Sequence, residues 1–216
     1  MTAGKSLGAP VEPHPIEVES FAILADRCDL SRYGPLAREV VARVVHATAD
    51  VEFAESMVLD ESAVLAAVDA LAAGSPVVTD VEMVRAGISY RPVHCYLAEA
   101  MAGEGRYRTR SADAMATAAE RHPQGAVVAV GCAPTARVAA VELALARLWR
   151  PAVLIGLPVG FVGAAESKER ARRLGDLGIP VITNLGDKGG SAVAAAAVNA
   201  IARLATGSHG ATGQPS

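Results

Sequence analysis

Arg43 and His46 are the pair whose types and spacing most readily suit chemistry, in the run Arg43-Val44-Val45-His46-Ala47-Thr48-Ala49-Asp50. A separation of three puts both on one side of a helix. An imidazole titrates at about 6.5 when unperturbed, which suits proton transfer near neutrality. The last turn of a helix favours its protonated form. A guanidinium binds a carboxylate through paired N–H donors. The pair thus fits a general acid beside an anion-binding group. It fits also, and on pattern alone more readily, a surface His capping a helix end next to a solvated Arg. None of the five histidines pairs with another at metal-ligand spacing and HExxH is absent, so no resident metal is expected. His14 and His209 fall in ends expected to be flexible. His122 precedes Pro123 at an expected helix end, and His94 lies in a short strand where packing is its expected role.

Gly186-Asp187-Lys188-Gly189-Gly190-Ser191 is the second candidate, three glycines and a Lys directly before an expected helix. Free backbone N–H groups and a helix dipole suit an anion there. An ordinary Gly-rich turn with Ser191 as N-cap also fits. The GxxxxGK[ST] spacing of a P-loop is absent. Residues 156–163 are spaced GxxxGxxG, not GxGxxG, so a dinucleotide fingerprint is missing. In Gly131-Cys132-Ala133-Pro134-Thr135, the Pro suits the first turn of a helix.

The elements that must position these groups alternate in texture. Short β-branched runs at 77–79, 93–97, 126–130, 152–155 and 181–183 read as buried parallel strands. Helical spacing covers roughly 15–27, 34–48, 60–73, 80–87, 111–122, 134–147, 165–175 and 191–204, with Leu36, Val40, Val41, Val44 and Val45 forming one apolar stripe. This predicts an α/β domain with a mostly parallel sheet, and a first 60 residues that are purely helical. Ligands of such sheets collect beyond the carboxyl ends of the strands. The expected organisation is a disordered 1–13, one domain over 14–205 and a disordered tail over 206–216.

Composition narrows the function classes. Of 216 residues, 51% are hydrophobic and 20% charged, a globular balance. A net charge of -3 and 4% aromatics argue against nucleic acid as a partner. No apolar run reaches the ~18 residues of a membrane span. The segment MTAGKSLGAPVEPHP lacks the apolar block of a signal peptide, so a cytoplasmic location is expected. Cys28, Cys95 and Cys132 are odd in number and widely spaced, and read as reduced thiols.

Seven segments, taken in order, resemble one family. They are Ser20-Phe21-Ala22-Ile23, Arg43-Val44-Val45-His46-Ala47, Asp80-Val81-Glu82-Met83-Val84, Thr109-Arg110-Ser111-Ala112, Gly131-Cys132-Ala133-Pro134-Thr135-Ala136, Lys188-Gly189-Gly190-Ser191 and the block PVGFVGAAESK from Pro158 to Lys168. Together they resemble the precorrin-8X methylmutases of cobalamin biosynthesis. The family usually has Asn where Cys132 stands, so no polar role passes to Cys132.

The resemblance implies a three-layer α/β/α, flavodoxin-like fold with a five-stranded sheet, an extra helical N-terminal segment, and a homodimer. It implies an isomerisation without a cofactor: a methyl group moves from C-11 to C-12 of precorrin-8X, or of cobalt-precorrin-8, giving hydrogenobyrinic or cobyrinic acid. By resemblance His46 is the acid that makes the conjugated ring electron-poor. Ser20, Arg43, Arg110, Gly189, Gly190 and Ser191 are its substrate-binding residues, with Arg110 reaching across the dimer. Two other readings compete, a corrinoid carrier without turnover and a generic nucleotide- or phosphate-binding module.

Overall fold

Runs of two to four residues, with valine the commonest, build a sheet whose alternate side chains enter two separate cores. The computed structural model describes residues 14–101 and 109–207. The expected loose segments over 1–13 and 208–216, with His209, lie outside the described residues.

In chain order the elements are α1 (Pro15–Arg27), α2 (Pro35–Thr48), α3 (Phe53–Ser56), β1 (Met57–Val58), α4 (Glu61–Ala72), β2 (Val77–Thr79), α5 (Glu82–Gly87) and β3 (Val93–Cys95). There follow α6 (Arg110–Arg121), β4 (Val127–Val130), α7 (Pro134–Leu145), β5 (Val153–Gly156), α8 (Ala164–Ala171), a 3-10 turn (Arg172–Leu177), β6 (Val181–Asn184) and α9 (Ser191–Ala205).

The strand order is β1-β6-β5-β4-β2-β3. Neighbours from β6 to β3 are parallel, whereas β1 runs antiparallel to β6, with Met57 opposite Asn184 and Val58 opposite Thr183. The sheet is therefore mixed and six-stranded, which corrects both the five-stranded expectation and the purely helical first 60 residues. Two residues carry no measurable periodicity, so β1 leaves no signal in the sequence. The third strand is also shorter than expected. It ends at Cys95, opposite Thr79, because β2 stops there and offers Tyr96 and Leu97 no partner.

Val77, Val127, Ala129, Val153, Ile155 and Ile182 enter one core, shared with α1, α2, α4, α5 and α9. Val78, Val128, Val130 and Leu154 enter the other, shared with α6, α7, α8 and the 3-10 turn. This alternation is the period-two geometry of a strand covered on both faces. Among the described residues no helix is long and apolar enough to cross a membrane.

Helix ends follow local chemistry. Pro134 opens α7 at its first turn, as the sequence suggests. His14 is not loose: its ring accepts from the Ile16 N–H at 3.2 Å and caps α1. Thr206, placed in the expected tail, instead closes α9 through its backbone N–H. The expected N-cap Ser191 is the first helical residue of α9, and Gly190 stands at the cap with no side-chain capping bond.

Candidate active site

The helix α2 buries Ala37, Val40, Val41, Val44 and Val45, so its remaining edge carries Arg43 and His46 against α1. From α1 come Glu17, Ser20 and Phe21, at the three- and four-residue spacings that share a helix face. Ser20 Oγ lies 2.9 Å from His46 Nδ1. The Phe21 ring stacks on the imidazole, centroids 4.7 Å apart and planes 8° from parallel. Arg43 lies over the Phe21 ring, 4.7 Å from its centroid, and forms an ion pair with Glu17. Arg203 of α9 reaches the same carboxylate at 3.4 Å. The Arg43 guanidinium, first through its hydrogen bond, holds the Glu17 carboxyl below its ordinary range. Ser20, Arg43 and His46 are thus brought together at one seam.

This arrangement fixes what the imidazole can do. Nδ1 is engaged by Ser20, which donates to it when the neutral ring carries its hydrogen on Nε2 and accepts from it when Nδ1 is protonated. Nε2 has no hydrogen-bond partner among the described residues; if it gives up a proton, the ring left behind keeps its hydrogen on Nδ1 and Ser20 accepts from it. The flat contact with Phe21 and the bond to Ser20 together favour one orientation of the ring plane.

Loop 186–191 comes to the same end of α2. Lys188 Nζ lies 2.7 Å from both Asp50 Oδ2 and Glu52 Oε2, just past the helix that bears His46. Its ammonium is therefore spent on two carboxylates, and the loop's remaining donors are backbone N–H groups. Gly190 N donates to Leu157 O at 2.9 Å, and Gly160 N to Asp187 O at 3.1 Å, lacing this loop to the one after β5. A Cβ on Gly189 would stand 2.2 Å from Leu157 O and 2.4 Å from Pro158 O, so only glycine fits. Gly190 has φ +136°, a conformation that side chains resist.

Arg110 is not brought to this seam. It opens α6, on the other face of the sheet, and donates to Leu97 O at 2.9 Å beyond the β3 edge. On the loop after β5, Phe161 is 97% exposed and Val162 89% exposed.

The loops around β2 and β4 do something the sequence does not reveal. The fully buried Asp80 accepts from the N–H groups of Gly131 at 3.1 Å, Cys132 at 2.8 Å and Ala133 at 2.7 Å. Burial pushes its carboxyl up, against the pull of these three donors. The crevice where the strand order reverses is thereby filled by the chain's own carboxylate. Position 132 makes this contact through its backbone N–H, a donor that any residue but proline supplies. The thiol itself is pushed up by burial and by Asp80.

The sequence profile of precorrin-8X methylmutases matches residues 15–204. The chain belongs to this family. The cobalt-precorrin-8 methylmutase of Methanothermobacter thermautotrophicus is 44% identical over 179 residues, 82% of this chain and 84% of the relative. The precorrin-8X methylmutase of a Sinorhizobium species is 40% identical over 194 residues, 85% of this chain and 91% of the relative. The crystal structure of the Thermus thermophilus precorrin-8x methyl mutase superposes with a TM-score of 0.77 at 35% identity, covering 89% of this chain and 96% of that one. The methylmutase family is thus supported by sequence and by fold. Sequence reasoning did not foresee Glu17, Phe21 as a ring support, or Asp80. For Glu17 and Phe21 the available signal is their spacing from Ser20 on one helix. Asp80 acts through backbone groups 51 to 53 residues away, which leave no local trace.

Proposed function

We propose that this chain isomerises precorrin-8X in cobalamin biosynthesis, moving the methyl group from C-11 to C-12, with His46 as the proton donor. Membership of the methylmutase family supports the reaction. The observation that carries the site is the imidazole stacked on Phe21 with Nδ1 held by Ser20 and Nε2 free. A proton from Nε2 makes the conjugated ring electron-poor. The methyl migrates as the C-11 bond breaks and the C-12 bond forms, and the proton then returns to His46. Nothing is oxidised or reduced, so the step needs no cofactor. Cobalt, when present, belongs to the substrate.

The peripheral carboxylates of the macrocycle are bound by Arg43, by the backbone N–H groups of residues 186–189, and by the first turn of α9 at Ser191, with Gly190 shaping the turn between them. Arg43 exchanges or shares its Glu17 partner to do so. Arg110 stands too far round the sheet to serve the same chain's His46. It serves the site of a second copy in a homodimer, and the exposed Phe161 and Val162 favour such a contact. The cavity between α8 and β6, about 370 Å³, is at the small end for a ligand pocket, and the macrocycle needs a wider seat. We read the five parallel strands as a flavodoxin-like unit within one domain over 14–205, since their order reverses between β2 and β4. The three free thiols favour a reducing, cytoplasmic setting.

The His46→Ala variant tests this reading. It should bind hydrogenobyrinic acid with an affinity near that of the unaltered protein and lose about a hundredfold or more in turnover. Unaltered turnover would remove His46 from its role. A carrier would give one stoichiometric spectral change and no second turnover, and family membership disfavours it.

A further inference from the structure

Lys168 closes the PVGFVGAAESK block and takes no part in the reaction proposed above, yet it is 3% exposed, near the end of α8. Its ammonium donates to Gly186 O at 2.8 Å and to Lys188 O. It makes no ion pair with a carboxylate among the described residues. The like charge that acts on it is Arg137, fully buried, which donates to Gly156 O and Thr183 Oγ1 while its Nε and Nη2 find no acceptor. A methionine would fill such a place without stripping water from a charge, as a buried ammonium must. The reason for a charge lies in what it holds.

Four successive carbonyls of the loop are taken up from inside. Asn184 Nδ2 donates to Leu185 O and Lys188 O, Lys168 to Gly186 O and Lys188 O, and Gly160 N to Asp187 O. The backbone N–H groups of residues 186–189 and of Ser191, by contrast, have no acceptor among the described residues. A short backbone run with its carbonyls gathered on one side presents its N–H groups on the other, which is the geometry of an anion nest.

We propose that Lys168 is a positioning residue for substrate: held between the carbonyl oxygens of Gly186 and Lys188, it turns the 186–189 backbone so that its N–H groups receive a carboxylate of the macrocycle. This rests on the corrinoid reading given above. Burial pushes the Lys168 ammonium down to about 8, and its remaining charge adds attraction for the same carboxylate from beneath. Lys188 takes part through its carbonyl oxygen, its ammonium being held by Asp50 and Glu52.

The test compares unaltered protein with Lys168→Gln and Lys168→Met by spectral titration with hydrogenobyrinic acid, alongside steady-state kinetics. Gln is one atom shorter and reaches only one carbonyl, and Met reaches none. The Kd and KM should rise in the order Lys, Gln, Met, by about tenfold or more for Met, with kcat within about threefold. A Kd unchanged in either folded variant, or a loss confined to kcat, would overturn the proposal. Should the Met variant not fold, the Gln variant decides by the same criterion. Failure of the underlying reading looks different: the unaltered protein itself would bind no corrinoid, and the inference would fall with it.

Discussion

Ser20 Oγ and His46 Nδ1 stand 2.9 Å apart although 26 residues separate them in the chain. The contact joins the first two helices and leaves the imidazole one free nitrogen. Removing it should therefore harm the chemical step more than binding. Ser20→Ala is expected to lower kcat about ten- to a hundredfold with KM within about threefold, read from steady-state turnover. An unaltered kcat would mean that the Phe21 stack alone orients the ring.

Glu17 links α1 to both α2 and α9 through Arg43 and Arg203. Its carboxyl is held below the ordinary 4.5, first by the Arg43 hydrogen bond. The unfolded chain therefore takes up this proton before the native state does. The stabilisation is fully present above the unfolded value and is lost as pH falls through the lower native one. Urea midpoints measured downward from about pH 5 should fall more steeply for the unaltered protein than for Glu17→Gln. Parallel slopes would show that the pair contributes nothing to folding.

Gly189 and Gly190 are adjacent but required for different reasons. A methyl at 189 meets two backbone oxygens of the loop after β5, while Gly190 has open space but φ +136°. Gly189→Ala is expected to cost about 1–3 kcal/mol and to lift the loop, raising the product Kd about tenfold. Gly190→Ala should cost a similar amount through backbone strain alone. Chemical denaturation and spectral titration of both variants check this. Equal Kd values for Gly189→Ala and the unaltered protein would remove the loop from the binding site.

Asp80→Asn keeps one oxygen where two are used. With that oxygen facing Cys132 and Ala133, the new amide nitrogen would point at the Gly131 N–H. A loss of about 1–3 kcal/mol is expected, since one buried donor is left facing another. An unchanged denaturation midpoint would show that a neutral amide serves equally well.

Much of the scaffold is readable because its signals are local. The valine runs, the stripe on α2 and Pro134 each announce an element with bounds within a few residues of those observed. β1 is invisible because two residues have no period, and its strand status comes wholly from pairing with Thr183 and Asn184. For the site, the spacing of Arg43 and His46 is legible, but the partner that orients His46 lies on another helix. Lys188 shows the converse. It lies in a loop whose backbone suggests an anion, yet its own ammonium is held by Asp50 and Glu52, and no pattern within the loop foretells partners from the α2 end.

The carboxylate lodged among Gly131, Cys132 and Ala133 has a practical consequence for inhibitor chemistry. Nucleotide mimics, common starting points against parallel-sheet enzymes, would find that seat already taken by Asp80. Screening against this protein should begin instead with flat, polyanionic scaffolds able to lie across the first two helices.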